Sequence, residues 1–270
     1  ADKIQVARAS LHMWEEPCIS GETGSGTVFF SGCTLQCVFC QNRPIANGSV
    51  GKQISVERLA EIFLELEEKG ANNINLVTPT HYARQIKRAL EISKNAGLMI
   101  PIVYNTSGYE TVEAIQKLEG YVDIYLPDFK YKSKELSFRY SKAADYFEQA
   151  SAALAEMVRQ TKGAIYDTKG IMKRGVIVRH LMLPGCIEDS KAVIQYLYTT
   201  YQDDIVISIM NQYTPLPFVA SISELNRKVT KKEYKELVDY AILLGVENGF
   251  IQEEDTAKES FIPIFDLEGI

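Results

Sequence analysis

Short apolar runs alternate with amphipathic helical stretches along most of this 270-residue chain, and that alternation restricts its fold more than any other feature. Strand-like runs lie at 26–31, 73–78, 99–104, 121–126, 175–182 and 204–210. Helical periodicity fills the intervals. Leu59, Ile62, Phe63 and Leu66 recur on one face after Ser55, and Gly70 supplies a stop. Further helices are expected over 82–95, 110–118, 133–160, 189–200 and 230–244, the last opened by a Thr230-x-x-Glu233 capping box. Strand, helix, strand in succession implies parallel pairing with helical crossovers. Six such units predict an α/β fold, a partial, open TIM barrel of (β/α)6 form, since eight are needed for closure. The barrel is expected over 26–245. Residues 1–25 are read as an N-terminal extension, with a lid or apron from Arg8 to Gly24, and 246–270 as a C-terminal extension adding an edge strand or helix. Ligands in such folds collect beyond the carboxyl ends of the strands.

Three of the five cysteines, Cys33, Cys37 and Cys40, stand within eight residues directly after the first expected strand. Thiolates select iron–sulfur clusters, zinc or copper(I). A structural zinc or an electron-carrying cubane is closed by four ligands, so three leave a corner open for chemistry. The competing reading is a zinc site completed by His12, His81, His180 or a distant cysteine, none of which lies at ligand spacing from the triplet. Cys18 and Cys186 are too few for a second cubane and read as small buried hydrophobes. An odd cysteine count with three clustered predicts a reducing, cytoplasmic setting rather than a disulfide framework. A net charge of −6 argues against a dedicated nucleic-acid partner. No apolar run is long enough for a membrane span, and no secretory signal is expected. The Gly21–Thr27 run lacks the lysine of a phosphate loop and is read as an approach to the first strand.

The C-x3-C-x2-C spacing, with Phe39 just before the last cysteine, resembles the signature of the radical S-adenosylmethionine (SAM) superfamily. The flanking stretches Gly26–Cys33 and Cys40-Gln41-Asn42 are similar to proteins related to the pyruvate formate-lyase-activating enzyme, in an anaerobe-type branch. The resemblance implies a [4Fe–4S] cluster on Cys33, Cys37 and Cys40, with SAM chelating the open iron. One electron then cleaves a sulfonium C–S bond, giving methionine and a 5′-deoxyadenosyl radical that abstracts hydrogen from a substrate. It further implies an oxygen-sensitive oxidoreductase fed by a flavodoxin- or ferredoxin-type reductant. Its substrate would be a glycyl radical enzyme or a small molecule. A non-catalytic iron–sulfur or zinc-stabilised binding protein is the alternative from another class.

The same resemblance assigns the SAM contacts. Phe39 packs on the adenine or shields the cluster. The second strand ends Thr78-Pro79-Thr80-His81, where the family carries Gly-Gly-Glu for the methionine amino group. Thr78, Thr80 and His81 are the substitute acceptors, with Thr80 also a candidate N-cap. Tyr104–Tyr109 resembles an Asp-Thr-Asn-Gly-Phe turn, which makes Asn105 and Ser107 candidates near the ribose and a monovalent cation. Such a turn also simply ends a strand. Asp128 and Lys130 alternate onto one strand face; by resemblance the lysine meets the SAM carboxylate and the aspartate the cation. Arg179, set in an apolar run, has the planar fork suited to that carboxylate, while His180 on the opposite face reads as structural. Tyr213 stands where the family places a histidine near the adenosine.

Overall fold

The computed structural model describes residues 3–252 and 264–270. The chain opens with β1 (Ile4–His12), α1 (Pro17–Ser20), β2 (Ser25–Phe30), α2 (Arg43–Ala46), β3 (Lys52–Ile54) and α3 (Val56–Glu68). Then come β4 (Ile74–Val77), α4 (Ala83–Asn95), β5 (Ile102–Thr106), α5 (Val112–Gln116), β6 (Ile124–Pro127), α6 (Lys134–Ser141) and α7 (Tyr146–Thr161). A short β7 (Ile165–Tyr166) pairs with β8 (Met172–Leu181), and α8 (Ile187–Tyr201), β9 (Val206–Met210), α9 (Lys231–Leu244) and β10 (Gly249–Ile251) follow. The sheet order is β10-β9-β8-β6-β5-β4-β2-β1-β3. Pairing is parallel from β2 through β10 and antiparallel at β1 and β3. The six expected strand–helix units are all present, and β10 adds a further parallel strand at one edge of an open barrel.

Sequence periodicity carries directly into packing. Side chains alternate across each strand, so Val28, Phe30, Leu76, Tyr104, Tyr125 and Val178 face the helices. Phe29, Val77, Leu126, Ile177 and Val206 belong to separate clusters on the inner face. The α3 stripe of Leu59, Ile62, Phe63 and Leu66 is buried, and Ser55 caps the helix by accepting from the Arg58 N–H at 3.1 Å. Thr230 and Glu233 form the expected capping box on α9.

Two boundaries differ from expectation. The segment read as a lid over Arg8–Gly24 lies largely within the sheet and barrel. β1 runs antiparallel along β2, with His12 opposite Ser25, and α1 then turns inward. There Ile19 packs with Val103, Ile124, Ile177 and Val206. The Asn72 and Asn73 amides bond the Ser20 and Ile19 carbonyls at 2.6 and 2.9 Å, so α1 floors the amino-terminal end of the barrel. The strand expected over 99–104 begins at Ile102. Pro101 has no N–H to offer a ladder, and the N–H groups of Met99 and Ile100 are taken by the Glu67 carboxylate at 2.9 and 3.1 Å. That shift makes Asn105 a strand residue. At the other end of the chain, Leu267 and Glu268 bond backbone groups of Ala7 and Ala9 on β1. Among the described residues no helix is long and apolar enough to cross a membrane.

Candidate active site

The cysteine loop leaves the carboxyl end of β2, and backbone geometry sets its course. Gly32 adopts φ +100°, and a Cβ there would meet His81 Nε2 at 2.7 Å. Its N–H donates to the Ile45 carbonyl at 2.7 Å, and the Val38 N–H donates to the Tyr140 carbonyl at the end of α6 at 2.8 Å. Backbone N–H groups of Leu35 and Asn42 act on Cys33 and Cys40, and the Ser141 hydroxyl lies 3.0 Å from Cys37 Sγ. Burial pushes all three thiols up, Cys40 to about 12, while the Lys130 ammonium pulls each back.

A cavity of about 430 Å³ opens beneath the loop. At its centre is a half-buried charge network. Arg179 donates to Asp128 Oδ1 (3.2 Å), Glu15 Oε2 (3.0 Å) and Asn105 Oδ1 (2.6 Å). Lys130 Nζ donates to Asp128 Oδ2 at 2.6 Å, and Glu15 also accepts from the Asn75 amide at 2.9 Å. Burial alone would raise the Asp128 carboxyl, but Lys130 and Arg179 outweigh it and hold the group below its usual range. Both cations are raised in turn: desolvation opposes them, and Asp128 together with the other anionic groups nearby, Glu15 and Glu16 in the case of Arg179, outweighs it. Glu16 behaves oppositely. Burial raises its carboxyl despite Arg179, and its Oε2 has no partner among the described residues.

The structure gathers Phe39, Thr78, Asn105, Ser107, Asp128, Lys130 and Arg179 around the cavity with Cys33, Cys37 and Cys40. Thr78 holds a left-handed backbone (φ +53°), costly for a β-branched residue, and its hydroxyl donates to the Val77 carbonyl at 2.8 Å. Thr80, His81 and Tyr213 do not line it. Thr80 and Thr106 both donate to Glu110, whose buried carboxyl is raised by desolvation. His81 donates from Nε2 to the Ser31 carbonyl at 2.8 Å, bracing the cysteine loop from behind. The Tyr213 hydroxyl is spent on the Leu225 carbonyl at 2.7 Å while its ring edge backs Phe39. Each of these side chains is diverted by a nearer partner. His180 is buried and donates from Nδ1 to the Phe129 carbonyl at 2.8 Å.

Sequence reasoning missed Glu15, Glu16, Gln212 and Ser208, all at the cavity. Glu15 and Glu16 sit in Met13-Trp14-Glu15-Glu16-Pro17, a stretch with no motif. Only the reversal of the chain after β1 carries them inside.

Among the described residues no group of three or more His, Cys, Asp or Glu side chains is already drawn together as a site for a metal ion. A cubane makes a different demand, because each thiolate binds its own iron at a separate corner. Three cysteines on one loop, met by N–H and O–H donors and by a buried cation, fit that demand. Thiols held protonated by burial become ligands only against metal charge.

Residues 27–166 match the model of the radical SAM superfamily, and the chain belongs to that superfamily, whose members use a [4Fe–4S] cluster to cleave SAM reductively. It is 30% identical over 241 residues to the uncharacterised protein MJ0674 of Methanocaldococcus jannaschii, covering 86% of this chain and 65% of that one. Among solved structures it is similar to Streptococcus suis SuiB bound to the precursor peptide SuiA (TM-score 0.56, 13% identity, 83% of this chain and 47% of that). It is also similar to a radical SAM methyltransferase from Sphaerobacter thermophilus (TM-score 0.56, 14% identity, 84% and 66%). The chain thus spans less than two thirds of the length of each of these three proteins.

Proposed function

We propose that Cys33, Cys37 and Cys40 hold the cluster and that the chain catalyses hydrogen abstraction from a substrate lodged in the cavity. The observation that carries this reading is the placement of three thiols on one loop, at the carboxyl end of the first parallel strand, over a half-buried Asp128–Lys130–Arg179 network. When bound, cluster and SAM supply a one-electron cleavage of the sulfonium that leaves a 5′-deoxyadenosyl radical.

The chain's own groups prepare that site. Lys130 has three ammonium protons and spends one on Asp128, so it has donors for the SAM carboxylate. Arg179 spends three of its five N–H donors on Glu15, Asp128 and Asn105. It braces the carboxylates and amide facing the cavity and keeps two N–H groups for the SAM carboxylate implied by the resemblance. Phe39, backed by Tyr213, offers an apolar wall. Trp14, Phe29 and Phe250 extend that apolar lining around the cavity.

The matches lend no weight to a glycyl radical enzyme as the substrate, and the proposal stops at a hydrogen donor that fits the cavity or reaches into it. The test is anaerobic reconstitution, assay of iron and sulfide, and measurement of 5′-deoxyadenosine after dithionite and SAM are added. A full cubane with nucleoside formation, both lost in Cys37→Ala, is the expected result. Zinc without sulfide, or a full cluster that leaves SAM intact, would overturn it.

A further inference from the structure

The charge network leaves unused one polar pair that touches the cysteine loop. Ser141, the last residue of α6, lies against Cys37, with its Oγ 3.0 Å from the sulfur. Tyr131 Oη lies 2.8 Å from the same Ser141 oxygen. Both residues are almost wholly buried, at 2% and 1% exposure, so neither hydroxyl has water to turn to. The contact is held in register by the Val38 N–H donating to the Tyr140 carbonyl. Lys142 then turns left-handed at φ +58° and ends the helix. A serine in a helix commonly bonds the carbonyl one turn back; this one points at sulfur.

We propose that Ser141, polarised by Tyr131, is a positioning donor to the Cys37 sulfur that raises the reduction potential of the cluster. The inference rests on the assignment of Cys37 as a ligand. A ligated thiolate carries no proton and can only accept, so the Ser141 proton is directed at sulfur and the Tyr131 proton at the Ser141 oxygen. Reduction places more negative charge on the cluster and its sulfurs. A donor aimed at one of them therefore favours the reduced form. The Tyr131 phenol is a donor at neutral pH, as any phenol with a pKa of about 10 is. Its ring is fixed edge-on against Tyr146 at 5.4 Å. Cys33 and Cys40 are approached by the backbone N–H groups of Leu35 and Asn42, and Cys37 by its own backbone N–H together with the Ser141 hydroxyl. Cys37 is thus the ligand whose electronics this chain can set through a side chain.

The test is a potentiometric titration of the reconstituted protein without SAM, followed by electron paramagnetic resonance. Ser141→Ala is expected to disfavour reduction about tenfold, a midpoint lower by about 59 mV for one electron. Ser141→Thr, which keeps the hydroxyl, restores the wild-type midpoint. Tyr131→Phe shifts it by a smaller amount in the same direction. An exchangeable proton coupled to the reduced cluster disappears in Ser141→Ala. A full cluster with an unchanged midpoint in Ser141→Ala, or an equal shift in Ser141→Thr, overturns the proposal while leaving the cluster assignment intact. Should Ser141→Ala fail to hold a cluster, the Tyr131→Phe midpoint decides in its place. Wild-type protein that assembles no cubane sinks the functional reading itself, a separate outcome.

Discussion

Arg179→Met removes the guanidinium that joins three strands and the β1–α1 turn. Its side chain is 13% exposed and that of Glu15 9%, so solvent screens the pair little. Asp128 keeps Lys130 at 2.6 Å when the arginine goes, but Glu15 keeps only the Asn75 amide. The cost therefore falls on Glu15, a buried carboxylate stripped of its cation, for which about 3–5 kcal/mol is the expected scale. At roughly 2–4 °C per kcal/mol for a domain approaching this size, thermal unfolding should move down by about 10 °C. Glu15→Gln removes the stranded charge and leaves Arg179 with Asp128 and Asn105. The double variant should then recover on the order of 2 kcal/mol relative to additivity. Acidity gives a second handle. A carboxyl depressed in the fold, as Asp128 is, contributes stability above its unfolded pKa of about 3.9 and loses it as pH falls through the lower folded value. The gap between wild type and Arg179→Met should accordingly narrow in strong acid. The assay is urea and thermal denaturation, followed by circular dichroism on anaerobic protein from neutral pH down to about 3. A single variant within 1 kcal/mol of wild type at neutral pH, or an additive double variant, refutes the account.

Other substitutions probe separate parts of the design. Glu16→Gln should stabilise the fold on the order of 1 kcal/mol at neutral pH, because burial raises that carboxyl and leaves Oε2 unbonded. The gain should vanish below the unfolded glutamate pKa of about 4.3, where the wild-type group is protonated in both states; a neutral-pH loss would contradict it. Lys130→Met should weaken SAM binding at least about tenfold by calorimetry, the loss of one charge-assisted bond, with iron content retained. Unchanged affinity would remove the lysine from the carboxylate site. Gly108→Ala places a methyl group on the Asp128 carbonyl oxygen at a residue with φ +80°. It should cost more than about 1 kcal/mol in denaturant midpoint, and a neutral result would mean the β5 turn yields freely.

Much of the barrel was legible because each strand–helix unit writes its own period into the chain. The α3 stripe and the Thr230 capping box are local interactions, decided within a few residues. Local pattern also singled out Cys33, Cys37, Cys40, Asp128 and Lys130, which the structure brings to one cavity. Thr80, His81 and Tyr213 were misplaced because their partners are Glu110, Ser31 and Leu225. Nothing in the flanking residues signals those bonds. Glu15 was invisible for a related reason, since it meets Arg179 across 164 positions of sequence.

From the sequence alone came the alternating elements, the direction of the sheet and a loop of three thiols at its carboxyl end. All follow from periodicity and spacing, which are properties of short segments. Folding in three dimensions decided which charges share the interior, that Arg179 braces carboxylates, and that Ser141 stands against Cys37. Those pairings join residues far apart in the chain, and a buried charge or hydroxyl takes whatever partner the open barrel and its crossovers bring within reach.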